Sequence, residues 1–430
     1  MVSPPYHQQT TTTMLIKTLL NQISKFKHFV FQNGRFEQTD TGQIIIVEIQ
    51  PRANSKATCS RCEKPSSTYD HIGVRRFQYV PLWGFPVYFE YNMRRVDCES
   101  CGVKVEGVPW ASGKCTVTNA FRIVLARWAK KLSWQEVADS FNVSWDKVYS
   151  SIEYVVSYGL ENRDLSEIGA IGVDEIKYSK GHKYLTLVYQ IDEGRKRLLY
   201  VVKDRTKESF RSFFTTMGKD VTGGIQYVCS DMWKNYLTVI KEEIPDALNI
   251  LDRFHIVKHL NEAVNDVRKQ EARELIAKGY ENVLSKMKYC FLKREENLTP
   301  SQSQKLNETL EYGLKTVRAY LLKCSFEAFW QYESPHWAQW YLKKWCTRAM
   351  RSRLDPMKKF VRTLRNHEDL LMNWFKAKKQ FNSGIVEGLN RKVNLVTRRS
   401  YGFKKYETLQ IALYHNLGDL PEPEPTHRFF

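Results

Sequence analysis

The sequence predicts a multidomain α+β protein. At 430 residues the chain is long enough for about two to four domains. Two Cys-x2-Cys pairs lie near the amino terminus, a stretch with helical spacing of apolar residues follows, and the middle of the chain alternates strand-like and helical segments. These three observations predict a small metal-bound module, a helical module and a mixed α/β domain, in that order.

The middle of the chain carries the strongest pattern. Its apolar and β-branched runs predict the element order β-β-β-α-β-α-β, at Ile168–Val173, Tyr184–Ile191, Leu198–Lys203, Thr206–Met217, Ile225–Ser230, Trp233–Ile244 and Leu248–Leu251. Asp174, Asp231 and Asp252 each directly follow one of these strands. Because an unpaired buried carboxylate is costly, an acid at a strand end is better placed to hold a cation. The order of elements predicts a ribonuclease-H-like catalytic core whose first part spans residues 165–268.

Charge and composition indicate a nucleic-acid partner. The formal net charge is +19, which favours binding to a polyanion. An apolar run long enough to cross a membrane is missing from the sequence, so a membrane partner is not expected. Nine cysteines fit a reducing compartment better than a disulfide scaffold, and the predicted location is the cytoplasm.

The cysteine pairs predict a zinc-ribbon domain over residues 41–112, after a poorly ordered segment over residues 1–40. Cys59, Cys62, Cys98 and Cys101 can supply the four thiolate corners of a structural Zn²⁺ site. The segment between the pairs holds strand-like stretches at Arg76–Val80 and Val87–Tyr91. A redox role is the alternative interpretation, but a redox pair does not need a second pair beside it.

Residues 113–160 predict a helix-turn-helix. Two helices over Leu132–Val156 are joined at residues 141–143, and Ser144 can cap the second of them. That helix would lie in the major groove of DNA, with Ser144, Trp145 and Lys147 near bases or phosphates. An ordinary helical hairpin would give the same pattern.

The last part of the chain predicts an all-helical insertion over residues 269–380, a final helix of the core over residues 381–418 and a disordered tail over residues 419–430. Five tryptophans of the insertion can belong to a helical core or stack on bases, and core is favoured: Trp330, Trp337, Trp340, Trp345 and Trp374. The final helix carries Glu387 beside a dense run of predicted DNA-binding cations: Arg391, Lys392, Arg398, Arg399, Lys404 and Lys405.

Three converging carboxylates, Asp174, Asp231 and Glu387, can hold two divalent cations for an in-line displacement at phosphorus. Oxygen ligands favour Mg²⁺ or Mn²⁺, two in each active site. Glu175, Asp252 and His255 are expected as neighbours of this site, and Asp252 is a rival for the second metal position.

The chain resembles the bacterial insertion-sequence transposases of the ISL3 group. The resemblance rests on CSRC and CESC, VDEIKYSKGHKY, SDMWKNY, LDRFHIVKHLNEA and NSGIVEGLNRKVNLVTRRSYGF. It implies a four-cysteine zinc finger, a helix-turn-helix and a DDE domain in which Asp174, Asp231 and Glu387 are catalytic. It also implies an enzyme that binds the terminal inverted repeats of its element and cleaves and transfers DNA strands, as a homodimer or higher oligomer on double-stranded DNA.

Two other functions are compatible with the same motifs. A sequence-specific DNA-binding regulator would keep the two DNA-reading modules around an inactive ribonuclease-H-like core. A nuclease of the same fold would cut strands without joining them. The paired DNA-reading modules and the insertion favour transposition.

Overall fold

The computed structural model describes residues 15–40, 42–179, 181–381, 384–400 and 402–424. The chain divides into two compact units. The first unit comprises Met1–Arg163 together with Val396–Phe430, and the second comprises Asp164–Leu395. The first unit is therefore built from both ends of the chain, and the second from its middle.

The first unit begins with a helix and a six-stranded sheet. These elements are α1 (Ile16–Ile23), β1 (Phe29–Thr39), β2 (Gly42–Pro51), β3 (Ala57–Thr58), β4 (Pro65–Leu82), β5 (Phe85–Cys98) and β6 (Gly102–Val105). The strand order is β1-β2-β5-β4-β3, and β6 pairs with β5. Alternate residues of β5, Val87, Phe89 and Tyr91, are buried because successive side chains of a strand point to opposite faces. Trp110 packs edge-on against Tyr91 within this core.

Two predictions for this region are corrected by the structure. Residues 15–40 are not poorly ordered, because α1 and β1 form there and Phe29 and Phe31 are buried in the sheet. The sheet thus begins before the predicted boundary at residue 41, while residues 1–14 lie outside the described residues. The two short predicted strands lie near the turn of one long antiparallel hairpin that β4 and β5 form.

Three helices follow the sheet: α2 (Asn119–Ala129), α3 (Trp134–Ser140) and α4 (Trp145–Glu161). The hydroxyls of Thr118, Ser133 and Ser144 each accept a hydrogen bond from a backbone N–H in the first turn of the helix that follows. Val137 and Val148 are fully buried where α3 and α4 pack together. The two predicted helices and the Ser144 cap are therefore present.

The second unit is built on a five-stranded mixed sheet. Its first elements are β7 (Ala170–Ser179), β8 (Lys183–Asp192), β9 (Arg195–Lys203), α5 (Lys207–Met217), α6 (Lys219–Thr222), β10 (Tyr227–Ser230), α7 (Lys234–Glu243), β11 (Leu248–Leu251) and α8 (Arg253–Ala277). The strand order is β11-β10-β7-β8-β9. β7, β8 and β9 are antiparallel, whereas β10 and β11 run parallel to β7. Phe210 and Phe213 of α5 pack with Tyr236 of α7 in the core of this unit.

β7 does not end at Val173 as the sequence predicted. It continues to Ser179, because β8 pairs with it beyond that point, Asp174 opposite Leu187 and Glu175 opposite Thr186. Its parallel neighbour β10 pairs only as far as Gly172. Asp174 therefore lies inside a strand, but beyond the last residue that pairs with β10.

The rest of the second unit is helical. Its elements are α9 (Lys288–Leu292), α10 (Pro300–Leu310), α11 (Lys315–Glu327), α12 (Pro335–Met350), α13 (Asp355–Asn366), α14 (Glu368–Lys376) and α15 (Gly384–Arg399), with 3₁₀ turns at Glu295–Asn297 and Ala328–Gln331. The predicted boundary at residue 269 is wrong, because it lies inside the continuous helix α8. Trp330, Trp345 and Trp374 are buried core residues, as favoured, but Trp337 and Trp340 are exposed.

The first unit is completed by α16 (Tyr406–Leu417), which packs on α4. After it, Glu422 accepts hydrogen bonds from Arg127 Nε at 2.8 Å and from Lys130 Nζ at 3.1 Å. The predicted disorder of the tail is therefore wrong for residues 419–424, and residues 425–430 lie outside the described part of the chain. Ser383, which the sequence suggests as a helix cap, also lies outside it.

Candidate active site

The sheet register brings three aspartates to one level of the second unit. Cys229 pairs with Gly172, so Asp231 and Asp174 each lie two residues beyond that pair. Ser230 pairs with Leu251, so Asp252 lies level with Asp231. Because β7, β10 and β11 run parallel, their aspartates meet at the same edge of the sheet. The predicted gathering of acids from neighbouring strands is therefore seen.

Burial and mutual repulsion disfavour the ionised forms of these aspartates. Burial raises the pKa of Asp174 to about 6, and the charge of Asp252 acts in the same direction. Burial likewise raises the pKa of Asp231, with a further contribution from Asp252. A carboxylate cluster with raised pKa values is a cluster in which a bound cation is favourable. The oxygen donors fit a hard divalent cation such as Mg²⁺.

Asp252 has both carboxylate oxygens engaged by α8. Oδ1 accepts a hydrogen bond from the backbone N–H of Phe254 at 2.6 Å and caps this helix. Oδ2 lies 3.0 Å from Nδ1 of His255. Burial alone would lower the pKa of His255, but the hydrogen bond and the charge of Asp252 outweigh burial and raise it. His255 therefore favours its cationic form beside the three aspartates.

Helix α15 packs directly on β7 at this site. A Cβ atom on Gly172 would lie 2.5 Å from Cγ2 of Val386, so the glycine allows the helix to approach this strand. One turn further along α15, Asn390 Nδ2 donates to Asp174 Oδ2 at 2.6 Å. The Asn390 Oδ1 atom accepts from the hydroxyl of Tyr189 at 2.8 Å. Asn390 thus fixes the orientation of the Asp174 carboxylate.

The sequence did not assign a role to Asn390. Asn390 follows Glu387 by three residues, so the two residues share one face of the predicted helix. The signal that could have found it is this spacing, because a residue three places after the expected acid points to the same side of the helix.

Glu387 lies on α15 but is not drawn into the aspartate group. Its Oε1 atom accepts a hydrogen bond from Arg391 at 2.6 Å, and its side chain is 40% exposed. Among the described residues, only the four zinc-ribbon cysteines form a group of possible metal ligands with all ligand atoms within 4.8 Å of one another. The structure therefore brings together Asp174, Asp231, Asp252 and His255, with Glu387 on the adjoining helix.

Glu175 lies beside this group on β7. Burial raises its pKa, and the charges of Asp231 and Asp174 raise it further. Arg205 forms an ion pair with Glu175 at 3.5 Å and stacks over the ring of Tyr184. Glu175 is thus held by Arg205, whereas Asp174 is held by Asn390.

The predicted zinc ligands lie together in the first unit. The Sγ atoms of Cys59, Cys62, Cys98 and Cys101 all lie within 4.8 Å of one another. A hydrogen bond from the backbone of Ser100 lowers the pKa of Cys98 to about 6. Burial and the neighbouring thiols raise the pKa of Cys101 to about 12. A cation would remove this repulsion, and four clustered sulfurs fit a structural Zn²⁺ ion.

Family profiles match both regions. The profile of the ISL3 transposases, described as a transposase, matches residues 171–413, which is more than half of the chain. The chain belongs to the ISL3 family of transposases. A second profile, described as the zinc-finger of transposase IS204/IS1001/IS1096/IS1165, matches residues 55–101 of this transposase and covers all four clustered cysteines.

Curated relatives span nearly the whole transposase. The transposase for insertion sequence element IS1001 of Bordetella parapertussis is 24% identical, over 92% of this chain and 96% of its own length. The transposase for insertion sequence element IS1557 of Mycobacterium tuberculosis is 28% identical, over 90% of this chain and 92% of its own length. Within the described residues of the transposase, no helix is both long and apolar enough to cross a membrane.

The residues predicted to bind DNA differ in their surroundings. Trp145 stacks on Tyr149 at the start of α4, and its ring borders a groove that Lys404 and Lys405 also line. The structure therefore brings the second helix of the predicted helix-turn-helix and part of the basic run together within the first unit. Lys147 donates to the side chain of Gln78 at 3.3 Å, and Ser144 is engaged as the cap of α4.

The remaining cations of the basic run are of two kinds. Lys392 and Arg398 are exposed, and Arg391 is exposed although it pairs with Glu387. Arg399 instead donates to the carbonyl of Lys130 at 2.7 Å and to Asn416 at 2.8 Å. Arg399, Lys130 and Asn416 all belong to the first unit, so the guanidinium of Arg399 joins parts of that unit from the two ends of the chain.

Proposed function

We propose that this transposase binds the terminal inverted repeats of an insertion sequence and catalyses metal-dependent strand cleavage and strand transfer in a ribonuclease-H-like domain. The observation that carries the proposal is that Asp174, Asp231 and Asp252 lie side by side at one edge of the mixed sheet. The antiparallel β7-β8-β9 meander with two parallel strands beside β7 supports the ribonuclease-H-like assignment.

Asp174, Asp231 and Glu387 would hold two divalent cations, Mg²⁺ or Mn²⁺, which when bound supply the charge that stabilises attacking and leaving oxygens at phosphorus. Asn390 keeps one oxygen of Asp174 turned toward α15. Asp231 is favoured over Asp252 as the second ligand, because Asp252 is already paired with His255 at 3.0 Å, whereas the described contact of Asp231 is a hydrogen bond from the backbone N–H of Trp233. Glu387 joins the set once its exposed ion pair with Arg391 opens.

The chemical steps are then a hydrolysis and a transesterification. Water attacks a phosphodiester at the element end, and the bond to the 3′ oxygen breaks to free a 3′-hydroxyl. That hydroxyl attacks a phosphodiester of the target strand, whose own 3′ oxygen leaves. The side chain of His255, paired with Asp252 at 3.0 Å, would lie beside the reacting phosphate.

Binding of the ends falls to the first unit. Besides the zinc ribbon, the candidate surface is the groove in which Lys404 and Lys405 lie beside the exposed ring of Trp145, with Asp146 and Glu407 also in its lining. Contacts to backbone phosphates make such binding weaken steeply as the salt concentration rises. The proposed assembly on DNA is a homodimer or higher oligomer, since two ends must be joined to one target.

The test is strand cleavage and joining on DNA that carries the element ends, with Mg²⁺. Asp174→Asn and Asp231→Asn are expected to lose cleavage and keep end binding. Asp252→Asn preserves the helix cap, because asparagine caps helices as well as aspartate does, and it is expected to retain part of the activity.

Two outcomes would change the assignment. Loss of cleavage in Asp252→Asn with activity retained in Asp231→Asn would move the second ligand to Asp252. A wild-type protein that binds the ends and never cuts them would contradict the proposed function and favour a DNA-binding regulator.

A further inference from the structure

A basic groove lies between α11 and α12, in the helical part of the second unit. It has a volume of about 870 Å³. Five cationic side chains line it, and none of its described lining residues is acidic: Arg318, Lys343, Lys344, Arg348 and Arg351. Lys343 forms an exposed ion pair with Glu368 at 3.6 Å, outside the groove lining. A surface with this charge favours an anionic occupant.

The walls of the groove are held in place by buried contacts. Trp345 donates from Nε1 to the carbonyl of Leu322 at 3.0 Å and to Oγ of Ser325 at 3.1 Å, which joins α12 to α11. Its ring also packs against Phe326 at a centroid distance of 4.7 Å. The groove is therefore a feature of two firmly packed helices.

An exposed tryptophan forms part of this basic lining. Trp340 is 43% exposed, and Lys344 Nζ lies 3.9 Å from the centre of its ring. Trp337, one turn earlier on α12, is 55% exposed and meets Trp340 edge to face. The three other tryptophans of this helical region are at most 7% exposed. The core therefore does not account for Trp337 and Trp340.

We propose that this groove binds a single DNA strand, with an unstacked base on the ring of Trp340 and phosphates on Lys344 and the neighbouring arginines. Aromatic rings beside cations are the means by which proteins hold unpaired strands. A duplex keeps its bases stacked on one another and would leave the tryptophan faces unused. The inference rests on the proposed function, because a cut at the element end leaves a strand terminus that can separate from its complement and enter the groove.

The experiment uses the full-length protein without Mg²⁺ and a mixed-sequence single-stranded oligonucleotide that contains 2-aminopurine. Anisotropy measures affinity, and the 2-aminopurine fluorescence reports stacking on an aromatic ring. Trp340→Ala is expected to weaken binding by at least about fivefold and to abolish the quenching, since stacking contributes most of the contact with a base. Trp340→Phe is expected to restore part of both. Tyr312→Ala is the matched control, because Tyr312 is 54% exposed in the same unit and does not line the groove.

A second variant pair tests the charges without altering the tryptophan. Lys344→Ala with Arg351→Ala removes two phosphate contacts, and the slope of log affinity against log salt is expected to fall by about 1.4. Circular dichroism melting of each variant checks that the helices remain folded.

The outcomes separate this inference from the proposed function. Wild-type cleavage together with single-strand binding that Trp340→Ala leaves unchanged would overturn the groove and leave the transposase activity standing. If Trp340→Ala loses single-strand binding and the wild-type protein never cuts the element ends, the results would support the groove and overturn the proposed activity. Two results would assign the groove to another partner and overturn the inference. One is that Trp340→Ala weakens binding of a duplex without the element ends as much as binding of the single strand. The other is that polyglutamate alone displaces the bound oligonucleotide.

Discussion

Replacement of Gly172 by alanine tests whether the close packing of α15 on β7 sets the geometry of the active site. The added Cβ would lie 2.5 Å from Cγ2 of Val386. Valine is branched at Cβ and cannot swing its methyl away freely. Moving the two carbons to the 3.4 Å at which ordinary contact begins requires a shift of about 0.9 Å.

That shift falls on the residues that face Asp174. If α15 moves away as a unit, the 2.6 Å hydrogen bond from Asn390 to Asp174 lengthens to about 3.5 Å and is lost. A displacement of about 1 Å in a catalytic group costs on the order of a hundredfold in rate. Overpacking at this position also lowers the free energy of unfolding by about 1–3 kcal/mol.

The assay is the single-turnover cleavage rate on pre-bound element ends, with thermal unfolding measured in parallel. Gly172→Ala is expected to cut about a hundredfold more slowly while binding ends normally. Gly388→Ala is the matched control, because it lies on the same helix with no atom within 4 Å of the added carbon. Val386→Ala combined with Gly172→Ala should restore most of the rate. Cleavage at the wild-type rate by Gly172→Ala alone would refute the reasoning.

Three further perturbations have defined outcomes. Burial raises the pKa of Asp174 to about 6, so protons compete with Mg²⁺ for this carboxylate. The affinity for Mg²⁺, measured by calorimetry, should therefore fall about fourfold from pH 7.5 to pH 5.5. Equal affinity at the two pH values would contradict this. Cys98→Ser or zinc chelation should abolish end binding, whereas Cys324→Ser, at an exposed thiol, should retain it. Glu271→Ala should lower the free energy of unfolding in urea by about 3 kcal/mol, because the backbone N–H groups of Lys315 and Thr316 and the hydroxyl of Thr316 lose their acceptor. Glu262→Ala is its control, because Glu262 lies on the exposed side of α8.

The sequence predicted what local patterns determine. The apolar run Leu248–Leu251 coincides with β11, and the predicted helix Thr206–Met217 corresponds to α5 together with its cap, Thr206. The Ser144 cap and the two cysteine pairs are equally local signals. Each of these depends on spacing within a few residues, which a single chain displays directly.

The contacts that the sequence could not supply are long-range. Asn390 and Asp174 are separated by 216 residues, and nothing in either segment encodes the other. The tail was expected to be disordered from its Pro and Glu content, but Glu422 finds two cations on α2. β7 was expected to stop at Val173 because its apolar run stops there, whereas pairing with β8 carries it six residues further, to Ser179. Local composition does not record a partner strand.

The attachment of Glu422 to Arg127, across 295 residues, has a consequence for how the protein is made. Ribosomes deliver the zinc ribbon and the three helices long before α16 and the tail that complete the same unit. The active site has the same dependence, since α15 emerges after the whole helical region. A polypeptide that is cut short before α15 would therefore lack the closing pieces of both units at once.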